Sequence, residues 1–148
     1  MEQRAEPYSY RNLGLWQKAQ ALALRVVKLT EGLPKTETAR TIARQAVRSS
    51  GSIAANIAEG HGRFSVAAYR NHLSIARGSA AETDSCIDLL AKAGYISGEV
   101  AQDLHEQCDV LLGGLTRQMR SLEAKMVGAK PGTVREHPPE YVTDESPE

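Results

Sequence analysis

A regular three-four spacing of small and apolar residues constrains this chain more than any other feature. Over residues 66–90 the spacing is unbroken: Val66, Tyr69, Leu73, Ala76, Ala80, Thr83, Ile87 and Leu90. Such a period places these side chains on one face of an α-helix. Residues 15–33, 39–57 and 100–126 show the same period, and no stretch alternates as a strand would. The sequence therefore predicts an all-α fold with four helices.

Residues that cap or stop helices lie between these stretches. The predicted stops are Gly32 with Pro34, Gly60 with Gly62, and Gly94. Hydroxyl side chains that can accept hydrogen bonds from free helix amides precede the last three helices: Thr36 or Thr38, Ser65 and Ser97. Because the connections are short, consecutive helices must run in opposite directions. We expect an antiparallel, up-down-up-down four-helix bundle over residues 11–127.

The two ends of the chain differ from the helical region. Residues 1–10 are predicted to form a flexible N-terminal arm. Residues 128–148 contain four prolines, and five acidic residues against two basic ones, which is typical of a disordered acidic tail. No apolar run approaches the roughly 20 residues that span a bilayer, and no signal-peptide core is present. We expect a cytoplasmic protein that does not contact a membrane.

Catalytic signatures are absent from the sequence. A di-metal bundle needs Glu-x-x-His repeats, and none of the four histidines follows a glutamate by three positions. Phosphate-binding loops and nucleophile elbows are absent too. Cys86 and Cys108 are predicted to be buried, reduced thiols. We expect no enzymatic activity, no catalytic residue, no metal and no cofactor.

The chain has no net formal charge, but residues 35–77 contain seven Lys or Arg against two Glu. Six arginines there are candidate nucleic-acid contacts: Arg40, Arg44, Arg48, Arg63, Arg70 and Arg77. The first three recur every four residues along one ridge of the second helix. Folding the chain about residues 60–64 would put Arg48 level with Arg77. Either these arginines bind phosphate oxygens, or they form a solvated face that acidic residues of the same or a neighbouring subunit neutralise.

The end of the second helix is rich in small residues. Residues 48–60 present small side chains nearly all round, so two faces of this helix can pack closely, one in the core and one at a subunit interface. Four residues form a candidate structural motif at the following turn: Asn56, Glu59, Gly60 and Gly62. The first two can hydrogen-bond the helix end and the turn.

The string SIAANIAEGHGR, followed by Ser65, Tyr69, HLSIARGSAAE and AGYI, resembles a known family. Its members are four-helix bundles encoded within intervening sequences of large-subunit ribosomal RNA genes, and they include the accessory variability proteins of diversity-generating retroelements. LGLWQKAQAL is similar to the opening helix of that family, so the resemblance covers residues 10–125. It implies a homopentameric ring with a basic surface. For retroelement members it also implies binding of nucleic acid and of a reverse transcriptase.

The sequence and the resemblance together lead to two functional expectations. In the first, a non-enzymatic homo-oligomer, expected to be a pentamer, offers its arginines to RNA, to DNA, or to a nucleic-acid-associated partner such as a reverse transcriptase. In the alternative, the chain forms a structural or protein-interaction oligomer that binds no nucleic acid.

Overall fold

The computed structural model describes residues 9–128. Most of the predicted arm, and all of the predicted tail except Gly128, lie outside these residues. A short 3₁₀-helix, Tyr10–Asn12, precedes four α-helices. These are α1 (Gly14–Glu31), α2 (Glu37–His61), α3 (Val66–Lys92) and α4 (Gly98–Gly128). The described part of the chain contains no strand, which confirms the all-α prediction.

Hydroxyl groups cap the last three helices. Thr36 Oγ1 accepts a hydrogen bond from the backbone amide of Ala39 at 3.2 Å. Ser65 and Ser97 accept from the amides three residues further on, at 3.0 and 3.2 Å. These bonds satisfy amides that have no partner inside the helix, so the capping predictions are confirmed. Gly94 follows α3 with a φ of 77°, a left-handed conformation that glycine adopts without strain.

Residues that face each other show that neighbouring helices run antiparallel. From Ser49 to Ser52 along α2, the bonded partner on α3 changes from Thr83 to Ser79. From Arg70 to Arg77 along α3, the bonded partner on α4 changes from Glu123 to Thr116. Arg25 of α1 pairs with Asp103 of α4, which closes the ring of four helices. Among the described residues α2 and α4 make no contact, so they lie diagonally across the bundle.

Apolar side chains from all four helices fill the centre. The largest fully buried side chains are aliphatic and include Leu22, Ile53, Ile57, Leu73, Ile87, Leu104, Leu111 and Leu115. Burying one such side chain contributes about 1.5–3 kcal/mol. A smaller cluster of Leu33, Ile42 and Leu90 closes the end where α1 turns into α2. Within residues 9–128 no helix is long and apolar enough to cross a membrane.

Two residues of the predicted apolar stripes lie on the surface. Val27 was expected to widen the stripe of α1, but it is 38% exposed. Met126 was expected to face inward with the rest of the α4 stripe, but it is 42% exposed. Arg70 of α3 bonds Glu123 of α4, so Met126 stands level with the first turn of α3. Little of the bundle remains there to cover it, and the prediction for this residue is wrong.

Candidate nucleic-acid interface along the second helix

The first half of α2 presents an exposed ridge of arginines, formed by Arg40, Arg44 and Arg48. Helix geometry places successive members one turn apart on the same side. Between Glu37 and Glu59 the helix carries no acidic residue. Arg40 and Lys35 also line a groove of about 440 Å³ beside Glu31, where α1 turns into α2. We call Arg40, Arg44 and Arg48 the arginine ridge.

Two members of the arginine ridge differ from the other four candidate arginines. Within residues 9–128 neither Arg40 nor Arg44 has an ion-pair or hydrogen-bond partner for its guanidinium. Arg48 Nη2 lies 3.3 Å from Glu82 Oε1 of α3, and both side chains are largely exposed. An exposed pair of this kind is worth at most about 1 kcal/mol, so Arg48 can exchange Glu82 for another anion at little cost.

The remaining three candidates each contact a neighbouring side chain. Arg63 lies 2.6 Å from Glu59. Arg70 Nε donates to Glu123 Oε1 at 2.7 Å, and Arg77 Nε donates to Thr116 Oγ1 at 2.9 Å. Arg70 and Arg77 thus lie at the α3–α4 seam, away from the arginine ridge.

The structure does not bring the six arginines into one patch. Arg48 lies opposite Glu82 rather than level with Arg77, so that expectation is wrong. Gly60 packs directly against Tyr69. The midpoint of the α2–α3 hairpin therefore lies nearer to Ser65 than to Gly62. Arg63 lies at the turn, at the far end of α2 from Arg40.

The candidate structural motif lies at the end of α2, against α3. Asn56 Nδ2 donates to the backbone oxygen of Ser52 at 2.9 Å, and Asn56 Oδ1 lies 3.2 Å from His72 Nδ1. The hydrogen bond from Arg63, and to a smaller extent the nearby His72, lower the pKa of the Glu59 carboxyl. Gly62 follows the helix, and its amide donates to the carbonyl of Ala58 at 3.1 Å.

Gly60 allows the close approach of α2 and α3 at this point. A Cβ atom on Gly60 would lie 2.7 Å from His72 Cβ and 2.9 Å from Tyr69 Cδ2. Real Cβ atoms essentially never come that close to another heavy atom. Only glycine therefore fits here, and the turn that carries Arg63 is held tightly against α3.

Sequence reasoning missed a ladder of hydroxyl groups between α2 and α3. Thr83 Oγ1 donates to Ser49 Oγ at 2.9 Å, and Ser79 Oγ donates to Ser52 Oγ at 2.9 Å. Ser49 and Thr83 are buried. The only signal in the sequence was the small size of these residues, which predicted close packing but not hydrogen bonding. These hydrogen bonds fix how α2 aligns along α3, and therefore where the arginine ridge lies.

The two thiols are buried and free. Burial, and then the nearby carboxylate of Asp84, raise the pKa of Cys108 to about 12. Burial also raises the pKa of Cys86. The reactive form of cysteine is the thiolate, so neither group is activated as a nucleophile at neutral pH. Within residues 9–128 no group of three or more His, Cys, Asp or Glu residues could hold a metal ion.

Comparison with known proteins places this bundle in a family. No curated protein matches the chain. A crystal structure of a protein with unknown function from the S23 ribosomal protein family of Bacteroides thetaiotaomicron VPI-5482 is similar, with a TM-score of 0.67 and 28% sequence identity. The similarity covers 71% of this chain and 97% of that one. The family model described as 23S rRNA-intervening sequence protein matches residues 11–117. The chain therefore belongs to the 23S rRNA-intervening sequence protein family.

Proposed function

We propose that this protein is a non-catalytic homo-oligomer whose arginine ridge binds the phosphate backbone of RNA or DNA. A nucleic-acid-associated protein, such as a reverse transcriptase, is its expected protein partner. The oligomer is expected to be a pentameric ring, as the family resemblance implies. The family description refers to 23S rRNA, which supports a nucleic-acid context.

One observation carries the nucleic-acid part of the proposal. Arg40 and Arg44 stand one turn apart on an exposed helix face, and neither has a carboxylate partner within residues 9–128. Two uncompensated like charges at this spacing repel each other by a few tenths of a kcal/mol. An anion that contacts both would remove that repulsion, and a guanidinium can offer two parallel donors to phosphate oxygens.

An apolar groove between α1 and α2 supports assembly into an oligomer. It has a volume of about 580 Å³ and is lined mainly by carbon atoms of residues such as Trp16, Leu24, Val27 and Gly51. Leu24 is 60% exposed in the single chain. Gly51 and its small neighbours on α2 let another helix approach closely. Covering this groove with a second copy would remove apolar surface from water.

A second candidate function is an interaction oligomer that does not bind nucleic acid. The ion pairs of Arg48, Arg63 and Arg70 with acidic residues of the same chain favour it. They neutralise half of the candidate arginines. In that case Arg40 and Arg44 would pair with acidic residues of a neighbouring subunit.

Titration of a labelled RNA at two salt concentrations tests the first proposal against the second. The full chain should bind at low salt and lose affinity steeply as salt rises, because phosphate contacts release counterions. The double variant Arg40→Glu with Arg44→Glu should bind at least about tenfold more weakly. It should also lower the slope of log affinity against log salt by roughly 1.5–2.

The matched control is Arg117→Glu with Arg120→Glu, which makes the same charge change on exposed residues of α4, diagonally across the bundle. This control should retain most of the affinity. Equal losses in both double variants would reduce the effect to net charge and contradict a role for the ridge. Absence of RNA and DNA binding at low salt would favour the second candidate. Light scattering would measure the oligomer, and a monomer would contradict both candidates.

A further inference from the structure

A groove of about 440 Å³ lies at the end of the arginine ridge, where α1 turns into α2. Two basic residues line it, Lys35 and Arg40, and the second of these is also the first member of the ridge. Neither has an ion-pair or hydrogen-bond partner for its charged group within the part of the chain that the structure describes. The wall of the groove therefore contains two positive charges that no described residue neutralises.

The backbone that carries Lys35 is fixed on both sides. Leu33 is buried in the small apolar cluster that closes this end of the bundle, and the ring of Pro34 restricts the backbone that follows. On the other side Thr36 caps α2 by accepting a hydrogen bond from the amide of Ala39. Since the wall of the groove is already ordered, a ligand that binds there loses less conformational entropy.

Two carboxylates mark where the basic surface ends. Glu31 lines the same groove, and its Oε2 lies 3.9 Å from Nζ of Lys28, which offsets its charge. Glu37 is exposed three residues before Arg40, on the same side of α2 as the ridge. A strand whose phosphates follow the ridge would meet these negative charges if it continued past Arg40. The strand is therefore expected to end at the groove.

We infer that the groove binds a terminal phosphomonoester of the nucleic-acid strand whose internal phosphates lie along the arginine ridge. This inference rests on the proposed function and names the part of the ligand that lies at the start of α2. An internal phosphodiester carries one negative charge, whereas a phosphomonoester carries about −1.5 to −2 at pH 7. The two cations of the groove match the larger charge, and Arg40 can offer two parallel donors to its oxygens.

The test compares three internally labelled oligouridines of one length, with a 5′-phosphate, a 3′-phosphate or hydroxyl groups at both ends. One phosphorylated strand should bind the full-length chain at least about fivefold more tightly than the hydroxyl-ended strand, and it identifies the end that the groove takes. Lys35→Gln should abolish this preference and leave binding of the hydroxyl-ended strand unchanged, because Lys35 lies outside the ridge. Lys35→Arg, which keeps the charge, should retain the preference. Lys125→Gln makes the same charge change on exposed residues of α4 and is the matched control, which should also retain it.

Each contrary outcome has a distinct meaning. If the three strands bind equally while Arg40→Glu with Arg44→Glu weakens all of them, the inference is wrong and the proposed function stands. If Lys35→Gln weakens the hydroxyl-ended strand as much as the phosphorylated one, Lys35 extends the ridge and the inference is wrong. Equal losses of preference in Lys35→Gln and Lys125→Gln would reduce the effect to net charge and also overturn it. If the unmodified chain binds neither these strands nor their DNA counterparts at low salt, the inference and the nucleic-acid part of the proposed function are both wrong.

Discussion

The seam between α2 and α3 and the seam between α1 and α4 hold the bundle together in different ways. The α2–α3 seam carries the hydroxyl ladder, the Asn56–His72 contact and the close approach at Gly60. The α1–α4 seam has the ion pair of Arg25 with Asp103 and a groove of about 340 Å³ lined in part by Gln107 and Val110. Gln107 Oε1 is buried and accepts no hydrogen bond from residues 9–128.

The α2–α3 seam determines how its two helices align along their length. Apolar packing, in contrast, stabilises the bundle without selecting one alignment. Directional hydrogen bonds and a glycine that tolerates no side chain allow only one alignment of α2 on α3. The α1–α4 seam, which lacks such a ladder, can adjust more readily. The arginine ridge belongs to the hairpin of α2 and α3, in which these contacts fix the alignment of the two helices. Equivalent substitutions in the α2–α3 seam and in the α1–α4 seam therefore test whether the α2–α3 seam tolerates less change.

Gly60→Ala is expected to produce the largest effect. The new Cβ would meet His72 Cβ at 2.7 Å and the Tyr69 backbone oxygen at 3.2 Å, and neither atom can move without shifting α3. Overpacking costs about 3 kcal/mol here, of which about 1 kcal/mol is offset by the better helix propensity of alanine. The free energy of unfolding, measured by urea denaturation, should fall by about 2 kcal/mol.

Gly114→Ala makes the same change at the α1–α4 seam and serves as its control. The atom that its Cβ would meet is the end of the Leu15 side chain, which can change rotamer. The free energy of unfolding should stay within about 1 kcal/mol of the unmodified chain. Equal losses in both variants would contradict a tighter α2–α3 seam.

The sequence predicted features that depend on local interactions, and it missed those that depend on contacts between helices. The three-four spacing and the hydroxyl caps predicted the number, order and starting points of the helices, because these depend on local interactions. The register of the hairpin could not be predicted, since it depends on how Gly60 meets Tyr69. The ion pairs of Arg48 with Glu82 and of Arg70 with Glu123 join residues far apart in the sequence, which local spacing does not reveal.

Thr83→Val should produce a moderate loss of stability. Valine keeps the shape of threonine, but it loses the hydroxyl that lies 2.9 Å from both Ser49 Oγ and the Ser79 carbonyl oxygen and shares its one proton between them. Removing one partner of a buried hydrogen bond costs about 1–2 kcal/mol. A double-mutant cycle with Ser49→Ala, read by urea denaturation, should give a coupling energy of at least about 0.5 kcal/mol. Simple additivity would show that the ladder contributes nothing specific.

Gln107→Leu should have a smaller effect and the opposite sign. Its amide oxygen is buried without a donor within the described part of the chain, so replacing the amide with an apolar side chain removes an unsatisfied group. The free energy of unfolding should stay the same or rise by up to about 1 kcal/mol. Asn56→Leu, which removes an amide that donates to Ser52, should instead destabilise the protein. A loss of stability in Gln107→Leu would mean that this amide is satisfied in solution.

The smallest effect is expected at the exposed rim of the α2–α3 seam, in the acid dependence due to Glu59. Its pKa lies below the ordinary value of 4.5, first because Arg63 donates a hydrogen bond to the carboxylate and then because His72 is near. A carboxyl group with a lowered pKa in the folded state stabilises that state above the pKa of the unfolded chain. This contribution disappears as the pH falls through the folded-state pKa. Glu59→Gln should therefore lose slightly less stability than the unmodified chain between about pH 5 and about pH 3.

Urea denaturation over this acid range, repeated at low and high salt, measures the effect of Glu59. The difference between the two chains should shrink at high salt, because both Glu59 and Arg63 are about half exposed and salt screens exposed pairs. Asp109→Asn, on the exposed face of α4, is the control, since its carboxylate has no ion-pair partner within residues 9–128. A large, salt-independent change in Glu59→Gln would mean that the rim contributes to register as the buried ladder does. Arg63 would then be held in place more firmly than an exposed ion pair ordinarily holds a side chain.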